Sequence, residues 1–255
     1  MVDLLAAEWL KVRSARSTRR VAIAVATVVG LMALLAWYVA RLYDRVRADS
    51  GGRAEVSSPA ELAAWLTALC LAVLGVRTIT SEFATGMIRT SLTVAPRPGA
   101  LLLAKAAVVG GIALVTGQLV TFGTALVSRG IVGDRPLGFN AEPLSAEVPV
   151  LLAAGLSVLM FAVVGVGLGA VLRSSAGAIA TLCMLWYVLP IITINLPAPW
   201  SARVSSVMLQ ELPRQLAGAA TADGLLSPLG ALAGMVAYAA LPLLAGAVLM
   251  RRREP

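Results

Sequence analysis

Histidine is absent from the 255 residues, and with it the chemistries that lean on an imidazole. No H-E-x-x-H zinc site, Ser-His-Asp triad or histidine-ligated haem can be assembled. Charge is scarce as well, at 13% of residues against about a quarter in a soluble domain. The two cysteines, Cys70 and Cys183, both fall in apolar runs and have no metal-site or disulfide-framework spacing. There is no G-x-x-x-x-G-K-[ST] loop to cradle nucleotide phosphates. What fills the chain instead is apolar, 59% of it. A soluble fold of this size has too little interior to hide that surface, so the chain is an integral membrane protein.

About 20 apolar residues carry a helix across the hydrocarbon core. Six runs qualify, near residues 21–40, 62–79, 106–127, 148–172, 176–196 and 229–250. Their apolarity is continuous rather than alternating, which selects helices over a β-barrel. The expected fold is all-α, one six-span transmembrane domain. The first run is too long, and its basic lead too extended, for a cleaved signal peptide, so it is expected to stay as a span.

The net charge of +8 does not point to nucleic acid, because the bases gather at the edges of apolar runs. With an even number of spans both termini share a side. If that side is the cytoplasm, it holds Lys11, Arg13, Arg16, Arg19, Arg20, Arg77, Arg89, Arg97, Lys105, Arg173 and Arg251 to Arg253, thirteen of 21 bases. Basic residues near span ends set orientation, so both termini are expected inside. Trp9, Lys11, Arg13, Arg19, Arg20 and Lys105 are then membrane-interface residues.

Within these runs the one charged residue is Arg77, near the end of the second, where its long side chain is expected to snorkel to the interface. Ion-coupled carriers keep an ionisable group at membrane depth, and intramembrane enzymes need a nucleophile and a base there, so both readings weaken. Gln118, Thr121, Thr124, Ser157, Thr181 and Asn195 are read as hydrogen-bonding between helices rather than lining a path. Gly165 with Gly169, and Gly230 with Gly234, form G-x-x-x-G steps that allow close helix approach, within one subunit or between two. Pro190 and Pro242 interrupt the fifth and sixth runs, where a missing backbone donor favours a kink.

Outside the spans, Leu5, Trp9 and Val12 share one face of an N-terminal helix, with Lys11 and Arg13 opposite, as in an interfacial amphipathic helix. Residues 41–60 and 128–147 read as exposed connectors. Trp200, Val204, Met208 and Leu212 recur every fourth position, predicting a short outer interfacial helix in the 197–228 loop, stopped near Pro213.

The remaining polar segment, "SEFATGMIRTSLTVAPRPGALLLAK" at 81–105, is too long for a plain connector. Thr80 or Ser81 could cap a short helix with Glu82 in its first turn and Arg89 near its end. Phe83 with Met87, and Ile88 with Leu92, would give it an apolar stripe before Pro96. Such a stripe suits a groove on this subunit or on a partner.

These residues resemble the loop after span two in type-two export permeases of ATP-binding cassette (ABC) transporters, particularly the actinobacterial branch. The matching positions are Glu82, Gly86, Arg89, Leu92, Pro96 and Lys105. Met87 and Pro98 depart from the pattern, where members often carry threonine and a second base. The opening "LLAAEWLKVRSARS" resembles that family's start, an acid-x-x-K-x-R-S pattern before the first span. The resemblance implies a permease in the plasma membrane, paired with an identical or related permease and docked on a dimer of ABC ATPase subunits. It implies a cytoplasmic coupling helix whose ATPase-coupling residues are Ser81, Glu82, Phe83, Gly86, Met87, Ile88, Arg89, Leu92 and Pro96. No cofactor is implied on this chain; ATP and Mg would sit on the partner ATPase. A non-transporting membrane anchor, or a carrier working without an ATPase, is the alternative.

Overall fold

The computed structural model describes residues 5–6, 10, 17–50, 58–87, 98–135, 137–140, 142–197, 199–219 and 226–252. Among these there is no strand, and six helical segments are long and apolar enough to cross a membrane. The first four spans are α1 (Ser17–Ser50), α2 (Pro59–Ala84), α3 (Pro98–Val132) and α4 (Leu144–Leu172). The fifth is composite: α5 (Ser175–Cys183), a π-helical turn (Met184–Val188) and α6 (Leu189–Ile194). Two short helices follow, α7 (Trp200–Ser206) and α8 (Leu212–Leu216), before the sixth span, α9 (Pro228–Arg252). We call the end where α2 and α4 finish basal, and the opposite end apical.

Several helices outrun their apolar runs. At 35 residues and 1.5 Å per residue, α3 is about 50 Å long, well beyond a hydrocarbon core of about 30 Å. Both of its ends therefore leave the membrane while still helical. Helix α1 likewise continues through Arg41–Ser50, where the sequence predicts a connector. Tyr43 there is buried against Val132 and Leu137, and Asp44 accepts 2.8 and 3.0 Å hydrogen bonds from Arg135. That carboxylate holds the Arg135 guanidinium above its ordinary pKa. Between α3 and α4, Asn140 gathers the turn by donating to the Gly133 and Arg135 carbonyls and accepting from the Leu137 amide.

Helix α4 is the axis of the bundle, apolar all round and more buried than any other span. Small residues decide how close its neighbours come. A Cβ on Gly165 would overlap the Ala72 carbonyl oxygen, and one on Gly75 would overlap that of Ala162. On Gly169 it would stand 2.5 Å from Ile79 Cγ2 and 3.0 Å from the Val76 oxygen. The Gly165–Gly169 step thus packs α4 on α2 inside one subunit. Gly117 meets Gly155 on the α3 side, and Gly167 meets Pro242 on the α9 side.

The second step behaves differently. Gly230 faces Leu226 and Ser227 just before its own helix, and Gly234 faces the side chain of Leu212. Gly234 thus seats α8 and Gly230 the chain leading into α9, and neither meets another span. Of the polar span residues, Gln118 does reach across, donating to the Leu152 oxygen at 3.1 Å. Thr121, Ser157, Thr181 and Asn195 instead bond carbonyls of their own helices, three or four residues back. A hydroxyl or amide in hydrocarbon takes the nearest acceptor, and its own helix always supplies one.

Pro213 starts α8 instead of stopping a helix, and α7 ends at Ser206. Pro at a first helical turn loses no hydrogen bond, so either role is chemically open to that proline. Met208, Leu209 and Leu212 are buried in the protein core, while Trp200 stays exposed. Pro190 withdraws the amide that the Trp186 carbonyl would accept in a regular helix, and Gln210 Nε2 donates to that carbonyl from the loop. Pro242 lies inside an unbroken α9.

Gly165→Leu should cost roughly 3 kcal/mol or more of stability, because backbone rather than a movable side chain fills the space. Gly111→Ala, with nothing within 4 Å, should be neutral or add up to about 1 kcal/mol through helix propensity. Detergent-titrated unfolding of the two variants beside the parent measures both effects.

Candidate functional site: the basal end of the second span

The sequence pattern "TITSEFATG" suggests a break before Glu82, but α2 runs unbroken through Ala84. The hydroxyls explain it. Thr80 Oγ1 donates to the Val76 carbonyl at 3.0 Å, and Ser81 Oγ to that of Arg77 at 2.7 Å. Both hydroxyls bond one turn back along a continuing helix, so neither caps a new one. Glu82 is therefore near the C-terminal end of a span, not in the first turn of a coupling helix.

At that end Glu82 turns inward. Its Oε1 accepts a 2.6 Å hydrogen bond from Lys105 Nζ, and Lys105 is only 2% exposed. Its position next to an apolar run predicts a lipid-interface lysine, its amine in the head groups. Its place seven residues inside α3 puts it against α2 instead, where the carboxylate compensates the charge. Withdrawing one member of such a pair removes a compensating charge from the other in low dielectric.

Two further contacts tie the same helix end to the turn between α4 and α5. Thr80 Oγ1 lies 2.6 Å from Ser175 Oγ. The Arg173 guanidinium sits over the Phe83 ring, 4.9 Å from its centre, in cation–π geometry. Arg173 also has φ 53°, the one non-glycine residue with positive φ among those described. It closes α4 in the left-handed C-cap conformation, its amide on the Gly169 oxygen, and Ser174 Oγ accepts from Gly177 to cap α5. Spans four and five are joined by two residues, and the end of α2 rests on that join.

Beyond Ala84 the chain leaves the bundle. Thr85 ends the helix, Gly86 adopts φ 70° with open space around it, and Met87 is exposed. A left-handed turn in the open is what glycine supplies without steric cost. Ser81 and Phe83 thus stand on α2 and Gly86 and Met87 at its exit, while Ile88, Arg89, Leu92 and Pro96 lie outside the described residues. So do Trp9, Lys11 and Arg13; Arg19 and Arg20 fall within the first turns of α1.

The Glu82–Lys105 pair escapes sequence reading because 23 residues and an apparent helix start separate its members. One signal is there to be used: an acid closing one apolar run and a base opening the next, each with apolar neighbours. At the apical end, Arg129 donates to Glu147 at 2.8 Å and Arg214 stands 3.7 Å from Glu61. They border a cavity of about 460 Å³ with Trp65 and Phe139 in its wall. Among the described residues no His, Cys, Asp and Glu group is arranged to hold a metal ion.

Lys105→Met alone should cost about 3–5 kcal/mol, by removing the ammonium that faces the buried Glu82 carboxylate. Pairing it with Glu82→Leu should recover most of that loss, since two apolar side chains fill the site without stranding a charge. Thermal unfolding in detergent of the single and double variants measures the difference. A single variant as stable as the parent would mean that the pair is open to water.

No curated protein matches the chain at a significant level. The family model for ABC-2 family transporter proteins matches residues 4–190, which is well over half of the chain and takes in the basal site with the first five spans up to Pro190. That match agrees with the six long apolar helices, and the chain belongs to the ABC-2 family of transporter membrane proteins.

Proposed function

We propose that this chain is the permease subunit of an ATP-driven exporter, worked by a separate ATPase through the segment that follows α2. The observation that carries the reading is the Glu82–Lys105 pair, which joins the helices on either side of that segment. A force on residues 85–97 would reach α2 at Ala84 and α3 at Pro98 together. Through Thr80 and Phe83 it would also reach the α4–α5 turn. Several spans of the bundle would then respond to one input.

In this reading the basal end is cytoplasmic, with both chain termini on that side of the plasma membrane. The exposed Met87 and the residues after it, Ile88, Arg89, Leu92 and Pro96, form the docking part. Glu82 is a positioning residue rather than a docking contact, because its carboxylate is buried against Lys105. ATP and Mg are bound by the partner ATPase dimer, and a second permease subunit, identical or related, completes the path.

The test is recovery of partners with the tagged full chain from its native membrane in mild detergent. An ATPase should co-purify with the parent. Met87→Asp should lower its recovery about tenfold, equivalent to about 1.4 kcal/mol, while thermal stability stays unchanged because Met87 is exposed. A chain that brings no ATPase in membranes where other ABC complexes survive would be an anchor or an ATPase-independent carrier.

A further inference from the structure

Near the basal end, α3 and α9 meet where the Leu102 side chain lies against Gly246. Beside that contact is a crevice of about 310 Å³, walled by Leu102, Leu103, Leu243, Leu244 and Ala247, with Arg251 at its mouth. Gly99 stands beside that mouth, where a Cβ would come 3.6 Å from a guanidinium nitrogen of Arg251, in ordinary contact. Leu103 and Leu244 are 55% and 63% exposed, so the crevice opens sideways toward the surrounding hydrocarbon. Among the described residues no carboxylate lines it and Arg251 makes no ion pair.

We propose that this crevice holds one anionic phospholipid, its acyl chain along the leucines and its phosphate on Arg251. An unfilled apolar slot forfeits dispersion contacts along both walls, and water gains nothing there, so a hydrocarbon chain is the fitting occupant. The guanidinium fork matches a phosphate with two parallel hydrogen bonds, and Arg252 adds a second exposed positive charge next to it. A basic pocket between spans, at head-group level, selects lipids by the sign of their head group. The site does not rest on the coupling reading, since none of the residues given a coupling role is among the described residues that line it.

Native mass spectrometry of the full chain, titrated with phosphatidylglycerol or phosphatidylcholine, tests it. One phosphatidylglycerol should bind at least tenfold more tightly than phosphatidylcholine. Arg251→Gln, a surface change that leaves the packing alone, should erase that preference. Ala247→Trp should abolish the bound lipid by filling the crevice, whereas Val115→Trp, of equal bulk on the lipid-facing side of α3, should not. Equal affinity for the two lipids, a preference that survives Arg251→Gln, or displacement of the lipid by inorganic phosphate would overturn the proposal.

Discussion

The backbones of α2 and α4 touch, and the rest of the bundle is arranged around that contact. In a bilayer, burying a leucine against protein gains little over leaving it against lipid, so close approach and shape hold helices together. Gly75, Gly165 and Gly169, set against Ala162, Ala72 and Val76, supply that closeness along three successive turns. Helix α4 then offers its other faces to α3 through Gly155 and to α9 through Gly167 and Ala170. The first and fifth spans have few small residues in such contacts and sit at the periphery, with large side chains toward lipid.

This packing has a polar counterpart at each end, of unequal character. The basal pair of Glu82 and Lys105 is shielded from solvent, whereas Arg135 and Asp44 at the apical end are more than a third exposed. A buried pair penalises misalignment heavily, because a misplaced partner leaves a charge in low dielectric; an exposed pair lets water take over. The basal ends of α2 and α3 are therefore held in one register while the apical end of α1 is only steadied.

How far the sequence can be read depends on the kind of constraint at work. Spans are legible, because a run of about 20 apolar residues is too long for most buried core helices and suits a membrane crossing. Their ends are less so: α3 begins at Pro98 and α1 continues to Ser50, since a helix keeps its hydrogen bonds after leaving the membrane and polar residues need not end it. Gly165 and Gly169 announce a close approach but cannot name α2 as the other side, which is a tertiary fact. Thr80–Ser81 looks like a helix start because the same hydroxyls serve as caps or bond one turn back. That ambiguity hides the inward turn of Glu82 and leaves Lys105 to be read as a lipid anchor. The Gln210 contact to Trp186 has no local signal at all.

The π-helical turn at Met184–Val188 has a consequence of its own. Such a turn carries one residue more than the α-helical turn it replaces, so the helix before it and the helix after it are out of phase by a single residue. Trp186 uses this to point inward, edge-on to Phe161 and Trp65, while Met184, Tyr187 and Ile191 stay on the outside. The fifth span thus behaves as two short rods with a one-residue spacer. Shortening the spacer by one residue would make its wide turn an α-helical one, with Pro190 still withholding an amide, and leave each rod's facing intact; shortening either rod would rotate it by about 100° and bring lipid-facing side chains against the core. Tolerance to length change in this span is confined to a single turn.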